Sequence, residues 1–481
     1  MTGEHDHAQP ATAKCAEGRH LGIDRGATRE FRGIRFARAH RLEAPIDTVE
    51  SDRVDARRFG AQAPQVPGAL DQLLGGDALP IDEDCLHLNV VTPACDDGRR
   101  PVLFWVHGGA YVTGSGAMPW YDGNALAARG DVVVVTINYR LGALGFHGES
   151  SLGSLDMIAA LRWVQRHVEA FGGDADNVTI FGESAGGSAV VSLLGAPDAE
   201  HLFQRVWSMS PSLLQLRTVA EAEQLLDDYL ALLGASSPAA VRSADLDAIL
   251  IAQSKMSATT AGLKNFAPTE GTPTFPAPIL PTASRSPKPL VVGTNRDEML
   301  LFTAFDTARR SWGERDVERE FEQRFDNHVD AIERYRSHRP GSTNSQLVSA
   351  MQTDEVFRWP VQRLAAKRSQ AAAPTWAYEF HVASSAFGGI LGACHGLDIP
   401  FAFHNLDRPG ASTFIGAGDS GYLSRVADQF ADALIAFART GDPGWAPFDD
   451  GLRSTRIIGG AADLVDDPEP ELRAIWERRT R

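Results

Sequence analysis

The sequence predicts an α/β fold, a central, mostly parallel, twisted sheet flanked by helices, and three observations predict it. Short β-branched runs at 102–106, 132–137, 178–181, 206–209, 290–292 and 375–380 alternate with helix-period segments, the order that covers a parallel sheet on both faces. Between the second and third runs, Leu155, Ile158, Leu161, Val164 and Val168 recur every three or four residues and stop at Gly172 and Gly173, which makes a crossover helix. The third run passes through Gly182 into a further helical pattern at Ala189, Val190, Leu193 and Leu194, so a strand turns sharply into a helix there.

The remaining elements follow in chain order. Residues 1–20 carry neither the basic nor the apolar region of a signal segment and are expected as a short flexible leader. Ser154 is the expected N-cap of the crossover helix. Two stretches, about 212–288 and 301–374, look like helical insertions. The first has a helical pattern over 219–233, and the second aligns Val317, Phe321, Phe325, Val329, Ile332 and Tyr335 in one stripe. A last helix presents Val426, Phe430, Leu434 and Phe437 before Gly441 and Pro443 end it. Each stripe reads first as core packing. No repeat or Pro- or Ser-rich linker divides 21–481, which is expected to form a single enlarged domain.

Composition narrows the function before any motif does. The 62 acidic residues outnumber the 46 basic ones for a net charge of −16, which argues against broad phosphate recognition and so against a nucleic-acid partner. No apolar run approaches the roughly 18 residues of a membrane span. Four cysteines (Cys15, Cys85, Cys95, Cys394) make neither a disulfide framework nor a metal-ligand spacing, so a reducing cytoplasm is the expected setting and no metal is expected.

Gly182-Glu183-Ser184-Ala185-Gly186 matches G-x-S-x-G at the strand-to-helix turn. Chance alone supplies roughly a quarter of one such match in a chain of this composition, so the weight rests on its position. A turn that lifts a serine hydroxyl clear of the backbone needs small residues two before and two after it, and Gly182, Gly186 and Gly187 supply them. The helix beginning at Ala185 also aims free amides at charge developing near Ser184. Upstream, His107-Gly108-Gly109-Ala110 directly follows the strand at 102–106, and its glycines let backbone amides approach a reacting carbonyl oxygen. Alone it also reads as an ordinary glycine turn; its pairing with the Ser184 turn favours the chemical reading.

These motifs occur together with Phe31-Arg32-Gly33-Ile34, Glu83-Asp84-Cys85-Leu86, Asn138-Tyr139-Arg140-Leu141-Gly142, Gly293-Thr294-Asn295-Arg296-Asp297-Glu298, Ala393-Cys394-His395-Gly396 and Arg439-Thr440-Gly441-Asp442-Pro443. The set resembles the type-B carboxylesterase family of α/β-hydrolases, in the family's order over about residues 30–445. The resemblance implies an α/β-hydrolase fold with helical insertions capping the active site, and a serine hydrolase that cleaves carboxylic esters through an acyl-enzyme without cofactor or metal. It implies Ser184 as nucleophile, Glu298 as acid and His395 as base, with the amides of Gly109, Ala110 and Ala185 as the oxyanion hole. The three side chains lie 114 and 97 residues apart, so one catalytic unit has to span most of the chain. The implied partner is a small-molecule ester; monomer and homodimer both stay open.

Alternatives remain at several points. Asp297 is the rival acid beside Glu298, and His328, His338, His381 and His404 are the other histidines that follow it, although only His395 lies in a small-residue loop. Cys394 reads as a packed small hydrophobe, since a thiol nucleophile needs its own turn or helix N-terminus. Glu183 either organises the histidine or is a structural hydrogen-bond partner. The same triad serves an amide, a carbamate or a lactone, while the non-catalytic neuroligin-like members of the family lack the nucleophile that Ser184 supplies here. Met299 and Pro211 stand where the family usually has glycine, and 33–40 lacks the family's prolines, so the substrate pocket is expected to differ from the family's. Cys85 is expected to be free. Phe266, Phe275, Phe357 and Trp359 are candidates for core or pocket alike, and no counterpart of the cholinesterase choline-binding Trp is visible.

Overall fold

The computed structural model describes residues 10–15, 18–48, 53–66, 79–258 and 264–479. Its strands are β1 (Pro10–Cys15), β2 (Gly18–Asp24), β3 (Arg29–Arg35), β4 (Ala37–Arg38), β5 (Ile46–Asp47), β6 (Arg53–Asp55), β7 (His87–Thr92), β8 (Arg100–Val106), β9 (Val133–Ile137), β10 (Gly173–Glu183), β11 (Arg205–Met209), β12 (Leu290–Asn295), β13 (Thr375–Phe380), β14 (Thr455–Ile458) and β15 (Leu464–Val465). One sheet runs β1-β2-β3-β7-β9-β8-β10-β11-β12-β13-β14-β15, with β6 pairing to β2 off that path; β4 and β5 form a separate ribbon. From β9 through β14 every pairing is parallel, and the flanking strands pair antiparallel except β6, which runs parallel to β2.

The parallel block is apolar on both faces because helices cover both. In β8, Val102, Phe104 and Val106 enter one core while Leu103 and Trp105 enter the other, and β9 divides in the same way, Val133 and Val135 against Val134. The crossover helix α1 (Leu152–His167) packs in the first core, and α2 (Ala185–Ser192) follows β10 directly. Helix α1 starts two residues earlier than Ser154. Ser151 occupies the N-cap without a side-chain cap, and its hydroxyl instead accepts from the Thr269 amide at 3.1 Å.

The expected leader is corrected in part. Pro10–Cys15 pairs antiparallel with β2 from Pro10 opposite Ile23 to Cys15 opposite Gly18. Its alternation explains the strand, since Ala11 and Ala13 point into the core while Thr12 and Lys14 face outward. Residues 1–9 of the leader lie outside the described residues.

Both insertion regions are helical. The first carries α3 (Val219–Leu233) and α4 (Leu246–Ser257); the second carries α5 (Glu314–Glu322), α6 (His328–His338), α7 (Asn344–Thr353) and α8 (Trp359–Gln370). The single stripe expected over 317–335 is broken in two, because Asn327 caps α6 and restarts the helix, leaving Val329 exposed. Val317, Phe321, Phe325 and Tyr335 still share one cluster, which α10 (Pro470–Glu477) closes with Leu472, Ile475 and Trp476. Between α7 and α8, Asp354–Arg358 forms one π-helical turn. Helix α9 (Ser420–Thr440) covers the second face of the sheet with Val426, Phe430, Leu434 and Phe437.

Candidate active site

Every predicted site residue lies in a segment that follows the carboxyl end of a parallel strand, where open α/β sheets gather their ligands. The His107 loop leaves β8, Ser184 leaves β10, Glu298 follows β12, and His395 lies in the loop beyond β13. Ser184 adopts φ 59° and ψ −123°, a left-handed conformation that costs a non-glycine residue about 1–3 kcal/mol. Its surroundings hold it there. The Ser184 amide donates to the Met209 carbonyl of β11 at 3.0 Å, and the Ser188 amide donates to the Ser184 carbonyl at 2.8 Å. A Cβ at Gly186 would lie 2.0 Å from the Val106 carbonyl oxygen, so only glycine lets the turn sit against β8.

The loop after β8 is equally constrained. Gly109, Ala110 and Tyr111 all have positive φ, and the amides of Val112 and Thr113 fold back on the Gly109 carbonyl at 2.9 and 3.0 Å. Gln65 clamps the far end, accepting from the Gly114 amide at 2.8 Å and donating to its carbonyl at 2.9 Å. His107 stacks on Tyr139 with ring centroids 4.5 Å apart, and burial pushes its imidazole down to about 4, so it is a neutral structural ring. Gly109 and Ala110 line a cavity together with Ser184 and His395, and Ala185 begins α2 beneath it.

His395 and Glu298 meet directly, Nδ1 to Oε2 at 2.6 Å, and both are buried. The second Glu298 oxygen accepts from the Asn295 amide at 2.6 Å, which fixes the carboxylate. Asp297 faces elsewhere: it accepts from the Ala393 amide and from Arg296, and so holds the backbone of the histidine loop. His381 and His404 pair with Glu379 and Asp428, and His338 bonds the Arg334 carbonyl, so none of them enters the site. Cys394 is buried, and burial holds its thiol well above the usual range. Cys85 is likewise a buried free thiol.

A second carboxylate approaches the same ring. Glu183 Oε1 lies 3.2 Å from His395 Nε2 without hydrogen-bond geometry, and neither atom has another partner among the described residues. Burial pushes Glu183 up to about 8. Burial also opposes a charged His395, but Glu183 and Glu298 more than offset it and hold the imidazole up at about 9. Asp398, three residues beyond His395, is buried as well, accepts from Tyr378 and Asn295, and is pushed up to about 7 by burial and the charge of Glu298.

The cavity measures about 470 Å³, within the range of small-molecule sites. Its walls are mostly apolar, including Met118, Trp120, Met299, Phe302, Phe357 and Phe414. Both insertion regions supply wall residues, and the rings of Phe302 and Phe357 pack against His395 at 5.3 and 4.8 Å. Phe357 is therefore a pocket residue, whereas Phe266 and Phe275 are core. Met299, a departure from the family pattern, also faces the cavity. Sequence reasoning missed Met118, Trp120 and Phe414, which come from a 3₁₀ turn at Pro119–Tyr121 with its N-cap and a five-residue helix at Ala411–Ile415, both too short to show a periodic pattern. Among the described residues no group of three or more His, Cys, Asp or Glu is arranged to hold a metal ion.

The carboxylesterase family model matches residues 12–454, nearly the whole chain. The chain belongs to the carboxylesterase family. This carboxylesterase is 33% identical to a para-nitrobenzyl esterase of Bacillus subtilis (strain 168), over 95% of this chain and 96% of that protein. It is 36% identical to a phenmedipham hydrolase of Pseudarthrobacter oxydans, over 86% of each. A solved PNB esterase superposes with a TM-score of 0.83 at 31% identity, covering 96% of this chain and 99% of that one. A Geobacillus stearothermophilus carboxylesterase gives a TM-score of 0.84 at 31% identity over 97% and 100%. The carboxylesterase therefore has the α/β-hydrolase fold and is a carboxylic ester hydrolase that acts on small-molecule esters. None of its described helices is long and apolar enough to cross a membrane.

Proposed function

We propose that this carboxylesterase cleaves esters by a Ser184-His395-Glu298 triad through an acyl-enzyme. The observation that carries the proposal is the 2.6 Å contact of His395 Nδ1 with buried Glu298, which leaves Nε2 without a hydrogen-bond partner beside the cavity lined by Ser184. In the first step Ser184 Oγ attacks the ester carbonyl and its proton passes to His395 Nε2. The oxyanion forms against the amides of Gly109, Ala110 and Ala185. Each such donor contributes about 3–4 kcal/mol to the transition state. His395 then returns the proton to the departing alcohol, and water repeats the sequence on the acyl-enzyme. Glu298 stays ionised and holds the imidazole tautomer.

The whole chain acts as one catalytic domain in this proposal, because both insertions wall the cavity. Esters with apolar groups on both sides suit those walls. The names of two relatives, the phenmedipham hydrolase and a "probable N-octanoylanthranilate hydrolase" of Rhodococcus erythropolis at 33% identity, favour a wider range of acyl substrates as a second reading. A cytoplasmic setting accords with the buried thiols of Cys85 and Cys394.

A fluorophosphonate is expected to add once to Ser184, read by intact mass and peptide mapping. Ser184→Ala is expected to lose about 10⁴-fold or more of p-nitrophenyl butyrate turnover. Wild-type turnover in that variant refutes the triad, and a substrate panel of matched esters, amides and carbamates decides between the two readings.

A further inference from the structure

A second cavity of about 650 Å³ lies on the other side of the catalytic cavity's wall. Two chain segments serve both. In 212–215, Ser212 and Gln215 line the catalytic cavity while Leu213 and Leu214 line the second one. Around the π-helical turn, Val356 and Phe357 face the catalytic cavity while Glu355 and Trp359 face the second. At these segments, the two spaces are a single residue layer apart.

The lining of the second cavity combines apolar surface with unanswered positive charge. Trp359 and Trp476 supply aromatic surface, and Trp476 is fixed by its Nε1 donating to Tyr335 Oη at 2.8 Å. The two acids of the lining are already neutralised. Glu355 pairs with Arg324 and Arg479, and Glu477 pairs with Arg473. Arg363 and Lys367 stand one turn apart on the exposed face of α8, and neither has a carboxylate partner among the described residues. Arg363 lies over the Trp359 ring, 5.9 Å from its centroid. In a chain of net charge −16, two unpaired cations beside indole and leucine side chains fit a ligand with an apolar body and one negative head.

We propose that this cavity binds an amphiphilic carboxylate, the apolar body against Trp359, Trp476 and Leu214 and the carboxylate on Arg363 and Lys367. Its occupancy is transmitted to the catalytic cavity through the shared 212–215 and π-turn segments. Ester hydrolysis releases acids of this chemical class, so the cavity links the level of such acids to turnover.

The test uses the full chain with Ser184 blocked by a fluorophosphonate, so that the catalytic cavity is filled; the mass shift at Ser184 reports on the triad and leaves the second cavity to be judged separately. Octanoate is titrated by calorimetry and by tryptophan fluorescence. The blocked protein is expected to bind one octanoate saturably, with R363A/K367A and the neutral analogue octanamide each binding at least tenfold more weakly. Both substituted side chains are exposed, and circular dichroism checks that the variant is folded. Absence of saturable octanoate binding, or octanamide binding as tightly as octanoate, or undiminished binding in the folded double variant, overturns the proposal. In the unblocked enzyme octanoate is expected to lower kcat and not only raise KM, and the double variant to lose the kcat effect; purely competitive inhibition overturns the link between the cavities.

Discussion

His395 stands between two carboxylates, one on each ring nitrogen, and that arrangement sets the pH behaviour of the proposed triad. General-base action needs the neutral imidazole, and the free enzyme holds its proton up to about 9. Hence kcat/KM is expected to rise with pH through the neutral range and to level off only near that value. Glu183→Gln removes one of the two charges that favour the protonated ring, so the rising limb is expected to move to lower pH. A limb that stays in place in the Glu183→Gln profile refutes a direct electrostatic link. Glu298→Gln removes the partner that fixes the tautomer, and kcat is expected to fall about 10⁴-fold with the fold intact, checked by steady-state kinetics and circular dichroism. At this scale the paired motifs marked the Ser184 turn and the Gly109–Ala110 loop, while His395 and Glu298, which meet at 2.6 Å, were reached only through the family resemblance. The nearness of Glu183 to Nε2 was not legible, because it depends on where the β13 loop returns, 212 residues further along the chain.

Elements are held to one another by a few buried polar contacts whose loss has predictable cost. Arg140, just after β9, grips Asp156 of α1 in a bidentate pair at 2.7 and 2.9 Å, and its amide donates to the same carboxylate at 3.0 Å. Both side chains are buried, so Asp156→Ala leaves an unpaired guanidinium in the interior. It is expected to cost about 3–5 kcal/mol in denaturant unfolding, and Arg140→Met with Asp156→Leu is expected to recover most of that. Gly186→Ala has no comparable remedy, since its methyl meets backbone; lower thermal stability and lower turnover are expected together. Strand β13 was legible in full, because all six of its residues are buried and the run is β-branched and aromatic. Strands β2 and β3 were not, since arginine, histidine and glycine interrupt their alternation and long-range pairing makes them strands, and β1 fell within the expected leader.

For the whole molecule, the spacing of motifs foretold a single sheet carrying residues from both halves of the chain, and the continuous pairing from β1 to β15 accords with it. The pocket lining was hidden for the opposite reason. Its walls come from loops and insertions scattered between Gly108 and Phe414, and no short-range pattern marks side chains that meet only after folding. Strand β1 has a consequence for handling the protein. It covers one whole side of β2, from Gly18 to Ile23, with main-chain hydrogen bonds. A chain begun at residue 18 would expose that row of amides and carbonyls as a template for other chains. Such a truncation is expected to raise the oligomer and aggregate fraction in size-exclusion chromatography while leaving the chemistry at Ser184, six strands away across the sheet order, initially intact. Strand β1 of this esterase thus acts as a guard against self-association, a task remote from the ester bond.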